Sequence, residues 1–230
     1  MKVLVDYDNI PTSIRARGAK YLADRILTAV MTALAQTPST LDIRLYGGWE
    51  KLDILTLNAQ KLSAEISGGF PTISMRPTPV RVTMELVHAM EIAPRKLLRN
   101  KLRLEPLRSG VRFKKPSDTT CRNSKCPIDV LYDFFKVGHC PISGCAGTVA
   151  ALADQQQQKL VDTMLVADII YLASNQTDPI AVVGSDDDMW PGINSALALG
   201  KHVVHLETKL WTGTSSYRLM NVGTYSQGAL

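Results

Sequence analysis

Residues 178–190, DPIAVVGSDDDMW, limit what this chain can fold into more than any other stretch. Asp178 and Pro179 make a turn, and 180–183 is an unbroken apolar run, short enough for a strand buried on both faces. Gly184 lets the chain turn sharply, and Ser185, Asp186, Asp187 and Asp188 follow directly. A helix is expected over 189–199. Carboxylates crowded at the carboxyl end of a buried strand repel one another and raise one another's pKa values unless a cation sits between them. In open α/β sheets ligands bind outside the carboxyl ends of strands. The natural occupant of an all-oxygen cluster there is a hard divalent cation, Mg²⁺ or Mn²⁺. A polar turn in which Asp187 or Asp188 caps the next helix is the plainer reading of the same residues.

The amino terminus repeats this layout. Residues 2–5 are an apolar, β-rich run that ends in Asp6, Tyr7, Asp8 and Asn9. A doubly wound parallel sheet presents all its strand carboxyl ends to one edge, so acidic strand ends from opposite ends of the sequence can meet there. Between them the periodicity predicts a helix over 12–35, a strand over 41–46 closed by Gly47 and Gly48, and a helix over 53–66. One or two strands are expected in 71–90, the better at 80–87, with Pro71, Pro77 and Pro79 marking an edge or loop.

The helix expected over 154–174, DQQQQKLVDTMLVADIIYLAS, has no Gly or Pro in its interior. It carries Lys159, Asp162 and Asp168. Six residues leave Asp162 and Asp168 about 120° apart on a regular helix. Both reach one metal only if Asp162 sits at the amino end, with the glutamines outside the helix. A last core strand is expected over 201–206, with His202 and His205 as strand-end polar residues rather than ligands. The Ser-, Thr- and Gly-rich tail from Gly213 reads as a surface loop with one short docking element.

At 230 residues, 45% of them apolar, the chain can bury one sizeable core and a small appended module. No apolar run approaches the roughly 20 residues of a bilayer span, and the first residues do not form a signal peptide. A cytoplasmic protein with no membrane partner is expected, where four cysteines favour a metal or free thiols over disulfides. The net charge of +5 is unevenly placed. Residues 76–115 hold eleven Lys and Arg against three Glu, a local +8 that leaves −3 for the rest. A basic middle on a mildly acidic body suits a polyanion such as nucleic acid; a solvated basic face is the alternative.

Over residues 94–147 the α/β rhythm is lost. Cys121 and Cys126 have four residues between them, as do Cys140 and Cys145, and thirteen residues separate the pairs. Two short-spaced pairs across such a gap have the form of a four-thiolate structural Zn²⁺ site, with His139 a possible substitute ligand. Zinc would let a short basic insert fold without a large core of its own. The expected organisation is a first core segment over 1–93, a Cys-rich insert over 94–150, and a second core segment over 151–230.

Asp6-x-x-Asn9, Lys159-x-x-Asp162 with Asp168 six residues on, and Ser185-Asp186-x-Asp188 together resemble the NYN domain family of PIN-like nucleases. The three motifs stand in the family's order and cover the chain to about residue 206. The resemblance implies a Rossmann-like, three-layer α/β fold and cleavage of RNA or other single-stranded nucleic acid with Mg²⁺ or Mn²⁺. Carried over by position, Asp6, Asp162, Asp186 and Asp188 are the expected metal ligands, with Lys159 and Asp168 supporting. Asn9 would orient Asp6 or contact substrate, and Ser185 would lie against substrate. The sequence departs from the family at Leu160, where many members have Gly, and in the Cys-bearing insert. Arg112, Lys114 and Lys115 within that insert are the expected phosphate contacts. A PIN-like protein that only docks RNA through its basic insert is the rival reading; a receiver- or phosphatase-type domain suits the basic insert poorly. A second copy of the chain, or a protein directing substrate choice, stays open as a partner.

Overall fold

The structure is a computed structural model that describes residues 1–34, 36–76, 78–94, 101–106, 127–209 and 223–230. Its contacts divide the chain into two compact units, Met1–Leu102 with Gln158–Leu230, and Arg103–Gln157. In chain order the first unit opens with β1 (Lys2–Asp6), α1 (Thr12–Arg15), α2 (Ala19–Ala33), β2 (Thr40–Tyr46), β3 (Glu50–Lys51), β4 (Ile54–Leu55), α3 (Leu57–Gly69), β5 (Thr72–Arg76) and β6 (Thr78–Leu86). Then come β7 (Leu102–Pro106), α4 (Ile128–Val137), α5 (Val149–Leu152) and β8 (Asp154–Gln158), with β7 and β8 paired as a two-stranded ribbon. The first unit resumes with α6 (Val161–Asn175), β9 (Ile180–Val183), a single 3-10 turn (Asp187–Met189), α7 (Trp190–Ala198), β10 (His202–Glu207) and β11 (Thr224–Ala229).

Among the described residues the central sheet has seven strands in the order β11-β10-β9-β1-β2-β6-β5. All its pairings are parallel except β5 with β6. This is an α/β fold with a mostly parallel sheet, consistent with a Rossmann-like arrangement. The alternation of side chains along each strand decides which helices cover which face. Val3 registers with Ile43 on β2 and Ala181 on β9, and Ala181 registers with Val204 on β10. All four pack in one core with Leu22, Ile26, Leu27 and Val30 of α2 and Leu62 of α3. Leu4, Ile180, Val182 and Val203 face the other way, against Met164, Leu165, Ile169 and Leu172 of α6 and Ile193 and Leu197 of α7. Both faces are therefore covered, which is why the β1 and β9 strands read as continuous apolar runs. Val3, Leu4 and Val5 are fully buried, and each contributes about 1.5–3 kcal/mol by leaving water.

The strand order reverses direction at β1. From it the chain builds outward through β2 to β6; β9 returns on its other side and leads to β10 and β11. The gap between the carboxyl ends of β1 and β9 is the topological switch point, where such sheets bind ligands.

Several local expectations are corrected. The single helix over 12–35 is two, because Gly18 turns at φ +86°, a conformation glycine takes without strain. Glu65 Oε2 then accepts from the Ala19 N–H at 2.8 Å and satisfies the exposed start of α2. The helix expected from 53 begins four residues later at Leu57, after a small β3–β4 hairpin whose turn, Leu52 and Asp53, has positive φ. The helix expected from 154 begins at Val161: residues 154–158 are strand, so the glutamines lie outside the helix and Asp162 sits in its first turn. His205 is no strand-end polar residue. It is 1% exposed, with Nδ1 2.8 Å from Tyr225 Oη and Nε2 3.0 Å from Gly184 O. The docking element expected in the tail is β11, which adds an edge strand in parallel to β10. Among the described residues no helix is long and apolar enough to cross a membrane.

Candidate active site

The acidic strand ends meet at the switch point. Asp6 closes β1 and is 3% exposed. The chain folds back over its carboxylate: Oδ1 accepts from the Asp8 N–H at 3.2 Å and the Asn9 N–H at 3.3 Å, and Oδ2 accepts from Asn9 Nδ2. An aspartate is suited to this because its short side chain reaches its own backbone two and three residues on. Asn9 thus holds the Asp6 carboxylate through both its backbone and its side-chain amide. Across the gap, the end of β9 approaches so closely that a Cβ at Gly184 would lie 2.6 Å from Met189 Cε and 3.4 Å from Asp6 Cβ. A side chain there would displace the flexible end of Met189 and stay in ordinary van der Waals contact with Asp6.

After Gly184, Ser185 acts as a clip. Its Oγ accepts from the Thr208 N–H at 2.8 Å and the Lys209 N–H at 2.9 Å, tying the end of β9 to the segment after β10. Asp186 caps the 3-10 turn, with Oδ1 3.4 Å from the Asp188 N–H. Asp186, Asp187 and Asp188 are exposed. Asp162 enters from the first turn of α6, where the positive end of the helix dipole favours a carboxylate. Leu160, just before that helix, is held at φ +70°. This left-handed conformation favours glycine, which is why a Gly would suit the place. Lys159, half-buried, donates its backbone N–H to Lys101 O at 2.6 Å.

The electrostatics show that these carboxylates feel one another. Burial first, then the charges of Asp162 and Asp8, push the Asp6 carboxyl from 3.8 up to about 6, against the opposing hydrogen bonds from Asn9. Burial likewise raises Asp162, followed by the charges of Asp186, Asp188 and Asp8. Asp8 is thus a member of the group that motif reasoning passed over, although its place two residues after Asp6 was a signal. Its Oδ1 lies 3.5 Å from Arg15 Nη1 and its Oδ2 accepts from the Gly48 N–H at 3.3 Å. Among the described residues no three His, Cys, Asp or Glu side chains are gathered closely enough to hold a metal ion as they stand.

Asp168 does not join this group. It is fully buried six residues further along α6, and its oxygens are already engaged. Oδ2 accepts from Tyr46 Oη at 2.6 Å and lies 3.5 Å from Arg44 Nη2, while Oδ1 accepts from the Glu91 N–H at 2.8 Å. Arg44 Nη1 also pairs with Glu85 at 2.8 Å and Glu91 at 2.7 Å. This is a buried ionic network between α6 and the sheet. Regular helix geometry turns Asp168 away from Asp162.

In the second unit Cys140 and Cys145 are brought together by a tight turn. The Cys145 N–H donates to Ile142 O at 3.1 Å, the Cys140 N–H donates to Gly147 O at 2.8 Å, and Gly144 takes φ +82°. The Gly147 N–H, then the Cys140 thiol, lower the pKa of the Cys145 thiol. Cys121, Cys126, Arg112, Lys114 and Lys115 lie outside the described residues. Of the eleven basic residues in the middle of the sequence, Lys101 is not a surface charge: it is 1% exposed inside the first unit.

No family model, no curated protein and no solved structure matches this chain.

Proposed function

We propose that the chain is a metal-dependent nuclease that hydrolyses phosphodiester bonds in RNA or other single-stranded nucleic acid. The observation that carries this reading is the set of Asp6, Asp8, Asp162, Asp186 and Asp188 at the switch point, where the carboxyls of Asp6 and Asp162 are raised by burial and by the neighbouring carboxylates. The donor chemistry fits a hard cation: all-oxygen, anionic and drawn from three separate elements. Asp6, Asp162, Asp186 and Asp188 would hold Mg²⁺ or Mn²⁺. Such an ion, when bound, lowers the pKa of a water and offsets the charge of the phosphate. The chain's own residues hold the frame. Asn9 fixes the Asp6 rotamer, Ser185 anchors the Asp186 turn, and Lys159 supplies a cation next to the start of α6.

The second unit would hold one structural Zn²⁺ through Cys121, Cys126, Cys140 and Cys145. Thiolates are soft donors and select zinc over Mg²⁺, and the Cys140–Cys145 turn already presents two of them side by side. The basic residues Arg112, Lys114 and Lys115 would then grip the nucleic-acid backbone irrespective of sequence. We place this activity in the cytoplasm.

Purified protein incubated with single-stranded RNA and Mg²⁺ or Mn²⁺ tests the reading. Cleavage is expected, and Asp186→Asn and Asp188→Asn should each abolish it while leaving the fold intact. Full activity in either variant refutes the site. Binding without cleavage by the unaltered chain favours an RNA-docking protein instead.

A further inference from the structure

Beside the carboxylate set, at the carboxyl ends of β2 and β6, three further ionisable side chains are gathered. Glu50, in the segment after β2, is 8% exposed. Its Oε1 lies 2.9 Å from His88 Nδ1, and its Oε2 is buried with no hydrogen-bond partner. Lys101 is 1% exposed and donates from Nζ to Val87 O at 2.6 Å. Burial lowers its pKa to about 8, and the Glu50 charge opposes that shift. Two buried ionisable groups are costly to keep, and the member of the group that reaches solvent is His88, whose side chain is 30% accessible. A carboxylate against Nδ1 selects the tautomer with its proton there and orients the ring. Nε2 has no hydrogen-bond partner among the described residues.

The group is joined to the acidic set at two places. Gly48, two residues before Glu50, donates its N–H to Asp8 Oδ2 at 3.3 Å. Lys101 O accepts from the Lys159 N–H at 2.6 Å, three residues before Asp162. We propose that His88, held by Glu50, protonates the leaving oxygen of a phosphodiester bound at the acidic set. This rests on the nuclease reading. The oxygen of water bonds to phosphorus and its proton passes to solvent. The bond from phosphorus to the sugar oxygen breaks, and that oxygen's electron pair takes the proton from Nε2. Solvent then reprotonates the ring. Glu50 is a positioning residue, and Lys101 holds the Val87 backbone beside it.

The test compares two single-stranded oligonucleotides in Mg²⁺, identical except that the leaving bridging oxygen is sulfur in one. A thiolate leaves without a proton. His88→Ala should lose about 10²-fold in kcat on the oxygen substrate with KM little changed, and stay within about threefold on the sulfur substrate. Glu50→Gln should show a smaller loss of the same pattern. His88→Asn, which keeps a polar side chain, should behave as His88→Ala does and guards against a folding defect. Equal losses on both substrates, or none on the oxygen substrate, overturn the role of His88 and leave the nuclease reading standing. If the unaltered protein cleaves neither, both fall.

Discussion

Replacing Asp6 by Asn should stabilise the metal-free protein at neutral pH, and the size follows from the burial of that carboxylate. Its pKa is raised from 3.8 to about 6. At about 1.4 kcal/mol for each tenfold change, the fold disfavours the charged form by about 3 kcal/mol. The unfolded carboxyl ionises at its ordinary value, so between 3.8 and about 6 the folded chain holds a proton that the unfolded chain has released. Stability from this group is therefore fully present below 3.8, is lost as pH rises through about 6, and stays lost above. Asp6→Asn removes this dependence. It also sets two amide groups against each other at Asn9 Nδ2, at a cost of about 1 kcal/mol. The expected result is a variant about 2 kcal/mol more stable at pH 8, or about 4–8 °C in Tm, and slightly less stable than the unaltered protein below pH 3.8. Thermal unfolding followed by circular dichroism across this range, in EDTA, measures the difference directly. Added Mg²⁺ or Mn²⁺ should then raise Tm of the unaltered protein and not of the variant, because a ligand stabilises only the state that binds it. A variant that is less stable at pH 8, or a difference that does not change with pH, would refute the reasoning.

Asp168→Ala should lose about 3–5 kcal/mol in urea unfolding, because it strands Arg44, Tyr46 and the Glu91 N–H in the core; a loss under about 1 kcal/mol would show that the network contributes little. Leu160→Gly should be at least as stable as the unaltered chain, since the left-handed conformation costs a non-glycine residue about 1–2 kcal/mol, whereas Leu160→Val should be less stable than either by the same measurement. Elemental analysis should find about one zinc per chain for a closed four-ligand site. Serine at Cys121 and Cys140 should remove it, weaken RNA binding and flatten its salt dependence; a chain purified without zinc would sink that assignment.

Much of the fold was legible because a parallel sheet covered on both faces demands apolar runs. Residues 2–5 and 180–183 carry that requirement in their composition alone. The carboxylates that follow each run could be placed at one edge from their order in the chain, since all parallel strands end there. Helix boundaries were less legible. Gly18 splits one apolar periodicity into two helices through a single positive φ, and the glutamines at 155–158 lack any pattern that separates strand from helix.

Tertiary structure alone decided the partners of the ionisable groups. Asp162 and Asp168 are both aspartates of one helix, yet one faces the acidic cluster and the other is locked by Tyr46, Arg44 and Glu91, residues 77–124 positions away in sequence. Lys101 looked like one charge in a basic surface run and is buried against Val87 and Glu50. Glu50 and His88 carry no shared motif and meet only because β2 and β6 are neighbours in the sheet. Periodicity reports which side of an element is apolar, a local property of the chain. Which charge meets which depends on strand order and on where loops return, and those are settled only when the distant segments pack.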